Sequence, residues 1–191
     1  MKFHDVLARR KSIREYERKL VPKQVLKELI KDAALAPSAG NGQSWEFRVV
    51  TSKKKRDRIA LLLRNAQKVF KGRTGLSSGI NKVGYDFYYD LGGCQTIILV
   101  YMKKERGLVR QINSYLSIAA AVENLNLSAV EKGLGACWMG SFKNYEKELN
   151  RMLRIKKDKE LVTGIIVGYP RKGYVPLKRD KKELNEILKF V

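Results

Sequence analysis

Apolar residues recur every three to four positions in six parts of the chain, the spacing that places them on one face of a helix. Pro22 suits the first turn of the second predicted helix, and Pro37 must end it. The fourth stretch, from Gln111 to Lys132, is apolar or small around most of its circumference, so we expect a central buried helix that Gly133 ends. The predicted helices cover residues 3–7, 25–34, 59–70, 111–132, 145–153 and 184–188.

Other apolar stretches are typical of strands. Residues 96–102 form a nearly continuous apolar run, which predicts a strand buried on both faces in the middle of a sheet. Further strands are predicted at 45–51, 134–139 and 161–167. Helices and strands mix without strict alternation, repeats or an interdomain linker, so we predict an α+β fold in one layered domain over residues 1–191.

Residues 71–93 differ from the rest of the chain. Glycines and the aromatic residues Tyr85, Phe87, Tyr88 and Tyr89 are concentrated there. A stretch of this length without a clear helix or strand pattern predicts a long excursion, either a lid or an interface arm.

The net charge of the chain indicates a class of binding partner that the hydrophobic pattern does not. There are 40 Lys and Arg residues against 19 Asp and Glu, a net charge of +21 with a pI near 10.1. Such an excess suits nucleic acid, an anionic membrane surface or a phosphorylated cofactor. The basic residues are scattered along the chain, however, so a solvated basic surface explains the same number.

Several classes of protein are excluded or disfavoured. No apolar run approaches the ~20 residues of a membrane span, and the N-terminus lacks the apolar core of a secretory signal, so we expect a cytoplasmic protein without a membrane partner. Cys94 and Cys137 should then be reduced, and their separation fits no zinc or redox motif. Since His4 is the single histidine, we expect neither a metal site nor a Ser-His-Asp triad.

Two segments carry candidate binding chemistry near the start of the chain. Along an extended segment Arg10, Ser12 and Arg14 would lie on one side, a hydroxyl between two guanidinium groups that suits a phosphate. A solvated basic turn is the alternative. In the loop 36–45, small residues allow close approach of a flat ligand and Asn41 offers a donor and an acceptor, although a simple helix-to-strand turn has the same composition.

Two further segments lie in the second half. In the block 133–142, Gly140 and Ser141 stand just before a predicted helix, where backbone N–H groups are free to face a ring nitrogen. The sequence Gly-Tyr-Pro at 168–170 is followed by Lys178 and Arg179, a possible second source of cations.

In their order and spacing these four segments resemble the nitroreductase family of FMN enzymes over almost the whole chain. The resemblance implies that family's fold, with a mainly antiparallel central sheet flanked by helices. It also implies a homodimer with two FMN sites at the interface. Electrons would pass from NADH or NADPH through flavin N5 to a small organic acceptor such as a quinone or nitroaromatic.

The resemblance also assigns the site residues. Phosphate and ribityl would be held by the first basic segment, the flavin would be reached from the other subunit by the loop, and the N5 side would be bordered by the block at 139–141. Either Lys178 or Arg179 would complete the phosphate clamp, with Lys181 as a rival. The assigned residues are Arg10, Lys11, Ser12, Arg14, Pro37, Ser38, Ala39, Asn41, Met139, Gly140, Ser141, Lys178 and Arg179. Ser44 replaces the proline that commonly precedes the Trp in this family.

No catalytic side chain is expected, because the cofactor carries the chemistry. Cys137 lies in an apolar segment and is interpreted as a packed small hydrophobic residue. Related flavin proteins carry out dehalogenation, ring fragmentation or dehydrogenation, and these tasks stay open as alternatives. A basic nucleic-acid-binding protein is the other alternative, disfavoured because the chain has no recognisable DNA or RNA module.

Overall fold

The structure is a computed structural model that describes residues 1–70, 87–178 and 180–191, without the side chains of residues 66–70. Its helices are α1 (Phe3–Arg9), α2 (Lys23–Ala33), α3 (Lys53–Phe70), α4 (Leu108–Glu131), α5 (Glu146–Leu153) and α6 (Leu184–Ile187), and residues 87–90 are also helical. Its strands are β1 (Trp45–Val50), β2 (Thr96–Lys103), β3 (Gly135–Met139) and β4 (Lys159–Gly168). Short 3-10 turns occur at Ala39–Asn41, Leu91–Gly93 and Gly140–Tyr145.

The four strands form one antiparallel sheet in the order β1-β2-β4-β3. In β2, Ile98 lies opposite Val49 of β1 on one side and Ile165 of β4 on the other. All residues of β2 except the last are buried. The prediction of a mid-sheet strand buried on both faces is therefore confirmed.

Alternate residues of β2 enter two separate apolar layers. Ile97 and Leu99 belong to a layer that includes residues of α3 and α5, whereas Ile98 and Val100 belong to one that includes residues of α2 and α4. Each fully buried Ile or Leu stabilises the fold by about 1.5 to 3 kcal/mol relative to an exposed one. Helices thus cover both faces of the sheet, and the predicted layered α+β fold is confirmed.

Helix α4 is buried along one side only. Ile118, Val122 and Leu125 are fully buried against the sheet. Near its N-terminus, Leu108 and Leu116 are 71% and 63% exposed. Its predicted C-terminal stop is confirmed, because Gly133 follows the helix with φ +70°, a conformation that favours glycine.

Two features at the periphery qualify the predictions. The last helix is a single turn, and its residues Leu184 and Ile187 are 65% and 67% exposed. A helix without a buried apolar face gains little stability from packing. Of the predicted excursion 71–93, residues 71–86 lie outside the described residues, while Phe87 and Leu91 are buried in the core.

None of the described helices is long and apolar enough to span a bilayer.

Candidate functional site

The basic segment after α1 is held along the edge of the sheet. The amide of Ile13 donates a hydrogen bond to the carbonyl of Ala136 in β3 at 3.0 Å, and Ser12 pairs with Ala136 in a parallel bridge. The Tyr16 hydroxyl donates to the carbonyl of Ile13 at 2.6 Å. These contacts fix an extended backbone, so the side chains before Ile13 have a defined place beside β3.

Three of the predicted phosphate ligands share one pocket. Arg10, Lys11 and Ser12 line a cavity of about 350 Å³. The residues that face them across it come from α4 and β3, namely Glu123, Asn126, Val130, Ala136 and Trp138. We call this the Arg10 pocket.

Polar contacts orient the walls of the Arg10 pocket. The Arg10 Nε lies 3.2 Å from the Glu123 carboxylate, and the Asn126 amide donates to the other oxygen of that carboxylate at 3.0 Å. Trp138 is 41% exposed, and its indole N–H donates to the Thr163 hydroxyl at 2.7 Å. The Arg10 guanidinium is therefore held by a carboxylate that lines the same pocket, and the indole of Trp138 is held by a hydroxyl of β4.

Arg14 is not among the residues that line the Arg10 pocket. It borders a second cavity of about 360 Å³, together with Arg18 and Arg171. The sequence predicted that Arg10, Ser12 and Arg14 lie on one side of the segment. In the structure, Arg14 borders a different cavity from Arg10 and Ser12. The reason is that the two halves of the segment have different partners, since Ile13 bonds to β3 whereas the amide of Tyr16 donates to the carbonyl of Gly92 at 2.8 Å.

The loop that contains Pro37, Ser38, Ala39 and Asn41 is exposed apart from a half-buried Ser38. Its backbone is left-handed at Gly40, Asn41 and Gln43, with φ of 57°, 54° and 41°. Such conformations cost energy outside glycine, and the Ser38 hydroxyl supports them by accepting from the amide of Gln43 at 3.1 Å. Hydrogen bonding within the loop therefore helps to fix its backbone conformation.

This loop does not line the Arg10 pocket of its own chain. It contacts α4 through the amide of Ala39, which donates to the Ser117 hydroxyl at 3.3 Å, whereas Arg10 contacts α4 at Glu123. Six residues along a helix separate these two contacts by about 120° around the axis and about 9 Å along it. The loop and the basic segment therefore lie against different faces of α4.

The third predicted group lies at the end of β3. Met139 is buried, Gly140 is exposed with open space around it, and Ser141 is half-buried. The Tyr88 hydroxyl donates to the Ser141 hydroxyl at 3.1 Å. Tyr88 was noticed in the sequence only as part of an aromatic cluster, and its contact with Ser141 required the tertiary structure.

Of the two predicted C-terminal cations, only Lys178 belongs to the part of the chain that the structure describes. Lys178 is exposed and lines neither cavity described above, and Arg179 lies outside the described residues. Their predicted role stays a prediction. Sequence reasoning also missed Glu123, Asn126 and Trp138, which carried no signal because helical or strand periodicity alone explains their positions.

Neither thiol suits nucleophilic chemistry. Both cysteines are free and buried. Burial raises the pKa of Cys94 to about 12, and burial also raises the pKa of Cys137 despite the opposing charge of Arg14. The thiols stay protonated at neutral pH, which agrees with the interpretation of Cys137 as a packed small residue.

Comparison with known proteins identifies the family. A sequence model of the nitroreductase family matches residues 7–169, which include all three described groups of site residues. The chain belongs to the nitroreductase family. The resemblance inferred from four short segments is thereby confirmed, together with the prediction that the chain is an oxidoreductase.

The individual proteins to which this chain is similar are distant in sequence. The 4-nitrobenzoate reductase of Nocardioides sp. (strain LMS-CY) is 23% identical over 87% of this chain and 80% of its own. Iodotyrosine deiodinase 1 of Sus scrofa is 24% identical over 97% of this chain and 67% of its own. The FMN-dependent nitroreductase NfnB of Mycobacterium smegmatis, solved in complex with NADPH, is similar in structure with a TM-score of 0.79 at 17% identity, over 98% of this chain and 97% of that one.

Proposed function

We propose that this chain is a flavin reductase that binds FMN without a covalent bond and oxidises NADH or NADPH. The observation that carries the proposal is the Arg10 pocket, where Arg10, Lys11 and Ser12 meet on a backbone fixed to β3. Family membership supports it. So does the likeness to a 4-nitrobenzoate reductase and to the FMN-dependent nitroreductase NfnB, which was solved in complex with NADPH.

The residues of the Arg10 pocket fit the phosphate end of FMN. Two cations and a hydroxyl are the donors that a phosphate prefers, and charge-assisted hydrogen bonds from a guanidinium are among the stronger polar contacts in proteins. Trp138 presents an exposed ring at the same cavity, a surface suited to a flat or aliphatic part of a ligand. The carboxylate of Glu123 opposes an anion there, but the guanidinium of Arg10 already neutralises it.

The chemistry that FMN supplies when bound is acceptance of a hydride from the pyridine nucleotide and delivery of electrons to a small organic acceptor such as a quinone or a nitroaromatic. The chain's own contribution is placement. Met139, Gly140 and Ser141 border the flavin edge, where Gly140 leaves open space and Tyr88 orients the Ser141 hydroxyl. No side chain acts as nucleophile or general base in this proposal.

The complete site requires two chains in this proposal. Within one chain, the loop 37–41 and the Arg10 pocket lie against different faces of α4, so one copy does not bring them together around a ligand. Leu116 of α4, next to the loop's contact at Ser117, is exposed, and Leu108 is exposed nearer the N-terminus of the same helix. A homodimer that covers this surface would place the loop of one protomer over the pocket of its partner.

Reductive dehalogenation is the second candidate. It rests on the likeness to iodotyrosine deiodinase 1 of Sus scrofa, which extends over 97% of this chain. Both candidates use the same flavin site and differ in the acceptor. An assay with 4-nitrobenzoate and with iodotyrosine as alternative acceptors separates them.

The decisive experiment is anaerobic mixing of the purified, FMN-loaded protein with NADH and with NADPH in a stopped-flow spectrometer. Bleaching of the flavin absorbance by either nucleotide is the expected result. If neither nucleotide bleaches it, the chain is not a pyridine-nucleotide reductase. If the protein retains no FMN after incubation and gel filtration, the Arg10 pocket is not a flavin site.

A further inference from the structure

A groove lies between α3 and α5, on the outer side of their layer. It has a volume of about 700 Å³, within the range of small-molecule sites. Its lining residues are Lys54, Lys55, Arg58, Leu61, Leu62, Glu148, Arg151 and Met152. None of them lines the two cavities described above, so the proposed flavin function does not use this groove.

The groove has a charged end and an apolar end along α3. Lys54 and Arg58 are one turn apart, and Leu61 and Leu62 follow on the same face. From Lys54 to Leu62 the helix rises about 12 Å. Leu61 is 46% exposed, so it offers apolar surface to a ligand in the groove.

The cations of the groove lack acidic partners in the described part of the chain. Lys53 and Arg56, on the same helix, both pair with Asp57, at 2.8 and 3.5 Å. Among the described residues no carboxylate forms an ion pair with Lys54, Lys55, Arg58 or Arg151. Of the described residues that line the groove, Glu148 alone carries a carboxylate, against these four cations.

The placement of these cations also opposes their own helix. The first turn of α3 carries lysines and no acidic residue. The N-terminus of a helix is the positive end of its dipole, so cations there destabilise the helix. An anion bound at this turn would offset both the dipole and the repulsion between the side chains.

We propose that the groove binds an amphipathic anion, a molecule with an apolar body and one carboxylate, sulfonate or phosphate head group. The head group contacts Lys54 and Arg58. The apolar body covers Leu61 and Leu62, with Met152 of α5 on the opposite wall. This accounts for part of the charge of +21 that the flavin site leaves unexplained.

The primary test is calorimetric titration of the full-length protein with dodecanoate below its critical micelle concentration. Saturable binding of one dodecanoate per chain is expected. Butyrate, which has the head group alone, and dodecyl maltoside, which has the chain without the charge, should each bind about tenfold or more weakly. Butyrate binding as tightly as dodecanoate, or no saturable dodecanoate binding, overturns the proposal.

A matched pair of variants locates the site. The Lys54→Gln/Arg58→Gln double variant should weaken dodecanoate binding about tenfold or more. Lys27→Gln/Lys31→Gln removes the same charge from exposed lysines with the same spacing on α2, across the sheet, and should leave the affinity unchanged. Equal losses in both variants would mean a general effect of net charge and would refute the groove.

Two further changes probe the apolar end and the carboxylate. Leu61→Asn should weaken dodecanoate binding and leave the weaker butyrate binding unaltered. Glu148→Gln removes the repelling charge and should strengthen dodecanoate binding about twofold. Because this variant predicts a gain, its expected result does not arise from misfolding, and a loss of affinity contradicts the proposal.

Two additional binding experiments test whether the groove residues bind a polyanion instead of a single amphipathic anion. Vesicles of phosphatidylcholine with about 30% phosphatidylglycerol test a membrane surface, and a single-stranded oligonucleotide tests nucleic acid. If either binds in a way that depends on Lys54 and Arg58 while monomeric dodecanoate does not bind, the face is a polyanion surface and the proposed groove site is wrong. The flavin content of the protein is measured in parallel and should be equal in all variants.

Discussion

At the scale of single residues, the Arg10 pocket depends on a balance of charges. Arg10 is held by Glu123, whose second oxygen accepts from Asn126. Removal of the guanidinium would lose the proposed contact with the FMN phosphate and would also leave the Glu123 carboxylate facing that anion. A hydrogen bond to a charged group contributes about 1.5 to 3 kcal/mol, so Arg10→Ala should raise the FMN dissociation constant about 10- to 150-fold in a fluorescence titration.

Two further variants and one further ligand show whether the loss of affinity comes from the phosphate contact. Ser12→Ala should cost less than Arg10→Ala, and Arg10→Ala/Glu123→Gln should recover part of the lost affinity because the repelling carboxylate is gone. Riboflavin, which has no phosphate, should be nearly indifferent to Arg10→Ala. An unchanged FMN affinity in Arg10→Ala would place the phosphate elsewhere, and equal losses for both ligands would indicate a damaged fold.

Gly92 packs closely against the backbone of the basic segment that follows α1. A Cβ on Gly92 would lie 1.9 Å from the carbonyl oxygen of Arg14, and its φ is +61°. Gly173 has a similar φ of +78° with open space around it, so Gly173→Ala should cost about 1 to 2 kcal/mol from backbone strain alone. Gly92→Ala should exceed that loss by about 2 kcal/mol in urea unfolding and should weaken FMN binding as well. If Gly92→Ala and Gly173→Ala reduced the free energy of unfolding equally, the backbone at Arg14 would be able to move away from residue 92 without cost.

At the scale of elements, a polar contact ties α4 to the sheet. The Tyr115 hydroxyl donates to the Glu160 carboxylate of β4 at 2.5 Å, and Lys143 approaches the same oxygen at 3.0 Å. Burial raises the pKa of Glu160, but the hydrogen bonds from Tyr115 and Lys143 more than offset it, so the pKa is lowered from 4.5. The charged carboxylate therefore stabilises the folded protein.

The pH dependence of stability tests this contact. A lowered folded pKa contributes stability above the ordinary pKa of the carboxyl group, and that stability is lost as the pH falls through the lowered value. Tyr115→Phe should reduce the free energy of unfolding by about 1 kcal/mol at neutral pH, with the difference from wild type shrinking on acidification. A difference that stays constant or grows towards low pH would show that Glu160 is not involved.

Helix α4 also shows the limit of periodicity at this scale. Its nearly all-round apolar sequence predicted burial, and the C-terminal half is buried against β2 and β4. The N-terminal half exposes Leu108 and Leu116. A helix that is apolar on every side is expected to be buried, but its sequence does not show whether the residues that cover it belong to the same chain or to a partner.

At the scale of the whole molecule, exposed apolar residues are concentrated at the two ends of the chain and on α4. Phe3, Leu116 and Phe190 are 70%, 63% and 93% exposed. Exposed apolar residues that lie together in one patch are typical of a protein–protein interface. The proposed homodimer would cover it and complete two flavin sites.

Leu116→Asp tests the dimer because it would place an unpaired charge in the proposed interface, a change that is strongly unfavourable. We expect analytical ultracentrifugation to show a shift from dimer to monomer, accompanied by loss of bound FMN. Leu61→Asp introduces the same change at an exposed leucine of α3, across the sheet, and should leave the protein dimeric. A Leu116→Asp protein that stays dimeric would exclude this part of α4 from the interface.

The sequence by itself determined the order and kind of the main elements and the family. Local spacing is sufficient for this, because the buried run at 96–102 and the helical stripes follow the periods of the strand and the helix. Four short segments in a fixed order were enough to indicate the nitroreductase family, which the match over residues 7–169 confirmed.

Only the tertiary structure decided which side chains share a pocket. Arg10 and Glu123 are far apart in the chain and meet because α1 and the basic segment pack against α4, while Arg14 turns to a different cavity because Tyr16 bonds to Gly92. The groove between α3 and α5 likewise joins residues from two helices. Periodicity specifies which face of an element is apolar, but the neighbours of a polar side chain depend on how distant elements pack together.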